Sequence, residues 1–153
     1  MPQTYILSPN DGLGIFLRLC LALLVGAAIG LERQLKNKPA GLRTHMLVSL
    51  GSAFFVLVPL QIGTAQESAE ALGRVIQGVT AGVGFLGAGE ILRESQHEST
   101  TGVKVRGLTS AAATWVSAAL GIAAGCGLWQ MSLIGALLCL VVLRAFKRLE
   151  PHK

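Results

Sequence analysis

Two acidic side chains, Glu32 and Glu90, stand where long apolar stretches of the sequence give way to basic loops. Glycines precede each of them, in Gly-Leu-Glu and in Gly-Ala-Gly-Glu. A carboxylate at the edge of an apolar segment is a candidate for binding a cation or a proton, and magnesium sites commonly use one or two such groups. The alternative is an ion pair with a nearby arginine, which for Glu90 would be Arg93 or Arg106. The sequence leaves both interpretations open.

The segments that carry the two glutamates resemble each other. Each glutamate is followed by a basic loop and by a Gly-Leu pair, at residues 41–42 and 107–108, that leads back into apolar sequence. Such similarity favours a parallel repeat of two hairpins. Helices that start after these loops expose unpaired N–H groups, for which we predict the caps Thr44 and Thr109. We also predict one coupled charged cluster at the inner interface, formed by Glu32, Arg43, Glu90 and Arg106.

We predict that these residues are carried by long apolar helices. The 153 residues are 52% apolar and only 14% charged, and the mean hydropathy is +0.59. Soluble proteins carry about 25% charged residues, whereas one helical crossing of a membrane needs about 20 apolar residues. We therefore predict an all-α polytopic membrane protein with a single transmembrane domain over residues 1–153. The predicted spans are residues 12–31, 44–62, 75–92, 107–128 and 131–146.

A four-span protein, with the last two segments merged or the last one lying in the interface, is the alternative. The basic residues decide the orientation, because cytoplasmic loops are rich in Lys and Arg. Most of the 13 Lys and Arg residues follow the first, third and fifth segments. We therefore expect the N-terminus outside and the C-terminus in the cytoplasm. A cleaved signal is disfavoured because residues 1–12 contain no Lys or Arg. Arg18, within the first segment, is expected to snorkel outward or to pair with Asp11.

Glycines recur at four-residue spacing in several segments, which places a smooth strip on one face of each helix. We interpret these strips as helix packing within one chain, and a homodimer interface is the alternative. A run of glycines over residues 82–87 also matches dinucleotide-binding turns, but no strand precedes it, and we reject that interpretation. The predicted packing glycines are Gly26, Gly30, Gly78, Gly82, Gly121 and Gly125.

The sequence does not favour an enzyme. A catalytic triad needs a histidine oriented by an acid, but Asp11 is the only aspartate and is expected opposite the three histidines. The three cysteines fall within apolar segments, at spacings typical of neither a zinc site nor a disulfide framework. We predict no catalytic residues and no cofactor, and no metal ligand can be named. The expected surroundings are a lipid bilayer and not nucleic acid, because the basic residues lie between apolar segments.

Several stretches around these residues resemble the MgtC/SapB family of bacterial inner-membrane proteins. The matching residues are 30–34 (Gly-Leu-Glu-Arg-Gln), 39–45 (Pro-Ala-Gly-Leu-Arg-Thr-His), 84–89 (Gly-Phe-Leu-Gly-Ala-Gly), 105–109 (Val-Arg-Gly-Leu-Thr) and Trp115. The resemblance implies a five-span domain in the inner membrane, linked to growth at low magnesium and to virulence in intracellular pathogens. It also implies modulation of membrane partners such as the proton-driven ATP synthase.

This sequence departs from the family pattern at some positions. Better-known virulence members have Asn in place of Thr109, Cys in place of Val116 and an apolar residue in place of Glu90. Many members also add a cytoplasmic domain of the ACT type, which is not expected in the sequence up to Lys153. We expect a regulator of membrane partners, linked to magnesium limitation or ion homeostasis. The alternative is a transporter or channel for magnesium or for a cation coupled to protons.

Overall fold

The computed structural model describes residues 11–62, 69–96 and 107–145. These residues form helices connected by turns, and no strand occurs among them, so the predicted all-α class is confirmed. The helices are α1 (Gly12–Leu35), α2 (Leu42–Gln61), α3 (Ala69–Gln96), α4 (Leu108–Gly125) and α5 (Trp129–Ala145).

Four helices, α1 to α4, are long and apolar enough to cross a membrane, while α5 is apolar but has only 17 residues. Many of their large apolar side chains face outward, and Phe85 is 81% exposed. Apolar surface of this extent is typical of helices that face lipid. The number of crossings, their direction and the parallel repeat stay predictions.

Two helices extend four or more residues beyond their predicted segments. α1 continues past residue 31 through Glu32 and Arg33, because both side chains are buried and packed inside the bundle. α3 begins at Ala69 instead of residue 75, and its first turns carry an exposed ion pair from Arg74 to Glu70 at 3.2 Å. Pairs at this i,i+4 spacing stabilise a helix that extends into solvent.

α4 is the central helix and packs against each of the other four helices. Small residues along α4 allow this close packing. As a result 56% of its apolar segment is buried, against 17% for that of α3. α3 leans mainly on α4 and touches α2 only weakly. α1, α3 and α5 end, and α2 and α4 begin, at one end of the bundle, called here the polar end.

Glycines on α1 and α4 bring these helices into direct contact with α2. A Cβ added at Gly26 would lie 2.6 Å from the His45 carbonyl oxygen, and one at Gly30 would lie 2.7 Å from Leu42 Cα. A Cβ at Gly121 would collide with the Ser49 carbonyl oxygen. Gly125 likewise faces the α2 backbone, with Ala53 O 2.8 Å from an added Cβ. These glycines therefore lie in close helix contacts within the chain.

The interpretation of Gly78 and Gly82 as packing residues within the chain is corrected by the structure. Both are exposed, and an added Cβ at either would meet no atom within 4 Å. The reason is the position of α3, which is held by α4 and turns its Gly78 and Gly82 face toward an open groove beside α2. Four-residue spacing creates a smooth helix face, but it does not by itself supply a neighbour.

The predicted caps Thr44 and Thr109 are also wrong. The N-cap residues are Gly41 and Gly107, and both threonines lie exposed inside the first turns of α2 and α4. Gly107 has φ 88°, a left-handed conformation that glycine adopts without strain. The α2 start is capped from another helix, because the Leu42 N–H donates to the Gln34 side-chain oxygen at 3.2 Å.

Candidate functional site: a buried polar layer

Polar side chains from four helices and from the residue that follows α1 are gathered inside the bundle at its polar end. Most of them are buried, although the helices around them are apolar. Buried charges and hydroxyls are costly in such surroundings unless they are paired. We call this group the polar layer; it comprises Glu32, Arg33, Lys36, His45, Glu90, Ser110, Thr114 and Ser117.

Charged groups in the polar layer connect α1 with α4 and α5. Arg33 is 3% exposed, and its Nη2 donates a hydrogen bond of 2.8 Å to Ser110 Oγ. Its Nη1 lies 3.9 Å from the carboxylate of Glu32, which is also 3% exposed. Lys36 forms an ion pair with the same carboxylate and donates to the Leu143 carbonyl at 3.1 Å. Arg33 and Lys36, which lie at the end of α1, therefore compensate the charge of the buried Glu32.

His45 occupies the centre of the contact between α1, α2 and α4. It is 0% exposed, and its Nδ1 shares a hydrogen bond of 2.8 Å with Ser117 Oγ. Gly30 leaves the space for it, since a Cβ there would lie 3.0 Å from His45 Cβ. The imidazole therefore serves here as a buried linker between α2 and α4.

Glu90 connects α3 to the polar layer through a hydroxyl. Thr114 Oγ1 donates a hydrogen bond of 2.7 Å to Glu90 Oε1. The half-buried carboxylate also lines a groove of about 300 Å³ at the polar end. Ser110 and Thr114 are four residues apart and therefore lie one turn apart on the same face of α4. The Ser110 hydroxyl accepts from Arg33, and the Thr114 hydroxyl donates to Glu90.

The predicted cluster of Glu32, Arg43, Glu90 and Arg106 is wrong in one member and untested in another. Arg43 is exposed and takes part in none of the ion pairs within the described residues, because it lies on the opposite side of α2 from His45. Arg106 lies outside the residues that the structure describes. Glu32 is compensated instead by Arg33 and Lys36, while Glu90 reaches the layer through Thr114.

Sequence reasoning missed Arg33, His45 and the hydroxyl stripe of α4. Arg33 resembled a loop residue because it follows the apolar segment, and His45 stood beside the loop. A usable signal was present in α4, where Ser110, Thr114 and Ser117 recur at helical spacing within an Ala-rich segment. Such a stripe indicates that one face of the helix meets polar partners.

At the opposite end of the bundle, Arg18 is bound to the end of α4. Its Nη1 donates a hydrogen bond of 3.0 Å to the Gly125 carbonyl. The chain then turns at Gly127 with φ 78°, and a Cβ there would lie 2.9 Å from the guanidinium carbon of Arg18. A cation at a helix C-terminus satisfies free carbonyls and favours the helix dipole. Asp11 caps α1 through the Gly14 N–H at 2.8 Å.

Between the polar layer and Arg18 the bundle is filled by small apolar residues. Ala22, Ala53 and Ala124 form one cluster, and each is 0% exposed. Ser49, also 0% exposed, donates its hydroxyl proton to the Ala22 carbonyl of α1 at 2.7 Å. This segment of the interface between α1, α2 and α4 is therefore closed and mostly apolar.

A metal centre is not apparent in the described ranges. No group of three or more His, Cys, Asp or Glu residues in residues 11–62, 69–96 and 107–145 is placed to hold a metal ion. Glu32, one of the two candidate acids of the sequence, has an ion pair with Lys36.

These features define an all-α membrane protein with charges compensated inside a tightly packed bundle. The chain belongs to the MgtC family, whose model matches residues 19–152, and the resemblance seen in the sequence is thereby confirmed. Protein SrpB of Synechococcus elongatus is 53% identical over 94% of this chain and 81% of its own length.

Two further relatives are longer than the matching region. "Putative magnesium transporter YhiD" of Escherichia coli K12 is 40% identical over 87% of this chain, and the match spans 60% of that protein. Protein MgtC of Salmonella typhimurium is 40% identical over 81% of this chain, spanning 48% of its own length. No solved structure matches the chain.

Proposed function

We propose that this chain is a multi-pass protein of the bacterial inner membrane that regulates membrane partners during magnesium limitation or disturbed ion homeostasis. The N-terminus lies outside and the C-terminus in the cytoplasm. Support for this orientation comes from the basic residues that follow the first, third and fifth segments. The polar end of the bundle then lies at the cytoplasmic interface.

The observation that carries the regulatory role is the closed interior. Transporters commonly build their sites from interrupted helices that open in turn to each side of the membrane. Here α1, α2 and α4 are continuous, and glycine contacts of α1 and α4 lock them to α2. The cations of the polar layer are bound to Glu32, Ser110 and a backbone carbonyl, which favours a structural role for them.

Transport of magnesium is the second candidate, and two observations favour it. One is the name of the Escherichia coli relative, "Putative magnesium transporter YhiD". The other is the position of Glu90, whose carboxylate lines a groove at the polar end. A single carboxylate with retained water is compatible with binding of Mg²⁺.

Flux measurements separate the two candidates. The chain is reconstituted in liposomes that contain a fluorescent magnesium indicator, and an inward Mg²⁺ gradient is imposed. The regulatory role predicts the same influx in protein-containing and protein-free liposomes, and no change in Glu90→Gln. Protein-dependent influx that Glu90→Gln abolishes would establish transport instead, with Arg144→Gln as the matched control at an exposed charge.

The family resemblance suggests the proton-driven ATP synthase as one partner of this chain. Inverted membrane vesicles, with and without the chain, are energised first with ATP and then with a respiratory substrate. We expect the chain to lower ATP-driven proton pumping and to leave respiration-driven pumping unchanged. Equal loss of both gradients would indicate an ion leak, and no loss of either would exclude this partner.

A further inference from the structure

An open groove runs between α2 and α3 on the outer surface of the bundle. It has a volume of about 590 Å³, and its walls are almost entirely apolar. The two helices are held apart because both pack on α4 and touch each other only weakly. Its lining includes Leu47, Gly51 and Phe55 of α2 and Gly78, Gly82 and Leu86 of α3.

The groove is deep because glycines, which have no side chains, form much of its floor. A Cβ added at Gly51, Gly78 or Gly82 would meet no atom within 4 Å. Exposed Leu47 and Phe55 project beside the floor, at 66% and 63% exposure. The groove is therefore a narrow apolar slot with free space at its bottom.

The groove begins at Leu86, one turn from Glu90, and is about as long as one leaflet of a bilayer is thick. From Val75 to Leu86 the helix rises about 17 Å, at about 1.5 Å per residue. The hydrocarbon core of a bilayer is about 30 Å thick, so one leaflet contributes about 15 Å. An acyl chain of one leaflet matches this length, whereas a partner helix would cross the whole core and extend well beyond the groove.

The groove becomes polar toward the cytoplasmic interface. Leu86 is shared with the smaller groove at the polar end, which is lined by Pro39, Ala40, Thr44, Gly89 and Glu90. Arg43 is four residues from Leu47 and so lies one turn nearer the interface on the same face of α2. Its side chain is exposed and forms no ion pair within the described residues.

We propose that the groove binds an anionic phospholipid of the inner leaflet. One acyl chain lies between α2 and α3 over Gly78 and Gly82, and the phosphate lies at the guanidinium of Arg43. Charge complementarity and an apolar slot of one-leaflet length together select this occupant. Thr114 holds the Glu90 carboxylate toward α4, so the guanidinium of Arg43 is the charged group that faces the lipid headgroup. The orientation of the bundle is that of the proposed function.

Native mass spectrometry of the purified chain tests this site directly. The detergent-solubilised protein is titrated with dioleoylphosphatidylglycerol, which is anionic, or with dioleoylphosphatidylcholine, which is zwitterionic. Wild type should retain the anionic lipid preferentially. Arg43→Gln should weaken this preference about fivefold, which corresponds to the roughly 1 kcal/mol that one basic residue contributes at an anionic surface.

A second variant addresses the acyl chain. The double substitution Gly78→Leu with Gly82→Leu fills the floor of the groove without meeting other atoms and should lower retention of both lipids. Gly84→Leu is the matched control, because Gly84 is exposed on the same helix and does not line the groove. Arg144→Gln is the control for an exposed charge elsewhere.

Two results would overturn the proposal. Wild-type retention of both lipids by the double leucine variant would show that the acyl chains bind elsewhere. Efficient disulfide dimers of Gly82→Cys in native membranes, together with lipid retention unaffected by Arg43→Gln, would assign the groove to a second copy of the chain. Neither result depends on whether the chain regulates a partner or transports an ion.

Discussion

Replacement of Gly121 by alanine measures how tightly the bundle is closed. The added Cβ would collide with the Ser49 carbonyl oxygen and would lie 2.8 Å from Ser49 Cα. A backbone carbonyl cannot rotate away as a side chain can, so α2 or α4 must move. Overpacking of this kind costs about 1–3 kcal/mol. Exchange of glycine for alanine within a helix gains about 1 kcal/mol in propensity, and we expect a net loss of up to about 2 kcal/mol.

The matched control is Gly84→Ala on α3, because an added Cβ there would meet no atom within 4 Å. This variant should gain the helix propensity without any overpacking and become slightly more stable. The difference between the two variants then isolates the overpacking cost of about 1–3 kcal/mol. Reversible unfolding in mixed detergent micelles, followed by circular dichroism, gives both values. Equal stability of Gly121→Ala and Gly84→Ala would refute the close contact between α2 and α4.

Further predictions concern the polar layer and the orientation. Ser110→Ala removes the acceptor of the buried Arg33 and should cost about 1–3 kcal/mol. Ser52→Ala should cost less in the same unfolding assay, because the Ser52 hydroxyl donates to a carbonyl of its own helix. Glu32→Gln and Lys36→Met should be non-additive by about 0.5–3 kcal/mol in a double-mutant cycle, and additive losses would show that the pair is not coupled. A reporter fused after Lys153 should read cytoplasmic and one inserted between α2 and α3 extracytoplasmic, and two reporters on one side would contradict the five-span orientation.

The helices could be predicted from the sequence because their apolar segments are long and almost free of charge. Hydropathy alone identified every helix in the described part of the chain, but it misplaced the ends of α1 and α3, which depend on buried and exposed ion pairs. The starts of α2 and α4 were misjudged because glycine, which has no side chain to form a cap, occupies both N-cap positions.

The partners of the charged residues could not be predicted in the same way. A helical pattern states which residues share a face, but the rotation of α1 relative to α2 decides what that face meets. Glu32 therefore turned out to be compensated by Lys36 instead of Arg43. The same limit explains Gly78 and Gly82, whose smooth face lies beside a groove and not against a helix.

The interior of the bundle between α1, α2 and α4 is closed to water at the level of Ser117. Cysteine accessibility at Ser117, which is 0% exposed, tests it most directly. Ser117→Cys is nearly the same size, and the exposed Arg43→Cys is the positive control. In native membranes a charged, water-soluble thiol reagent should label the cysteine at position 43 from the cytoplasmic side. It should leave the cysteine at position 117 unmodified from either side until the protein is denatured. Rapid labelling at position 117 in the native membrane would reveal a water-filled path and contradict a closed interior.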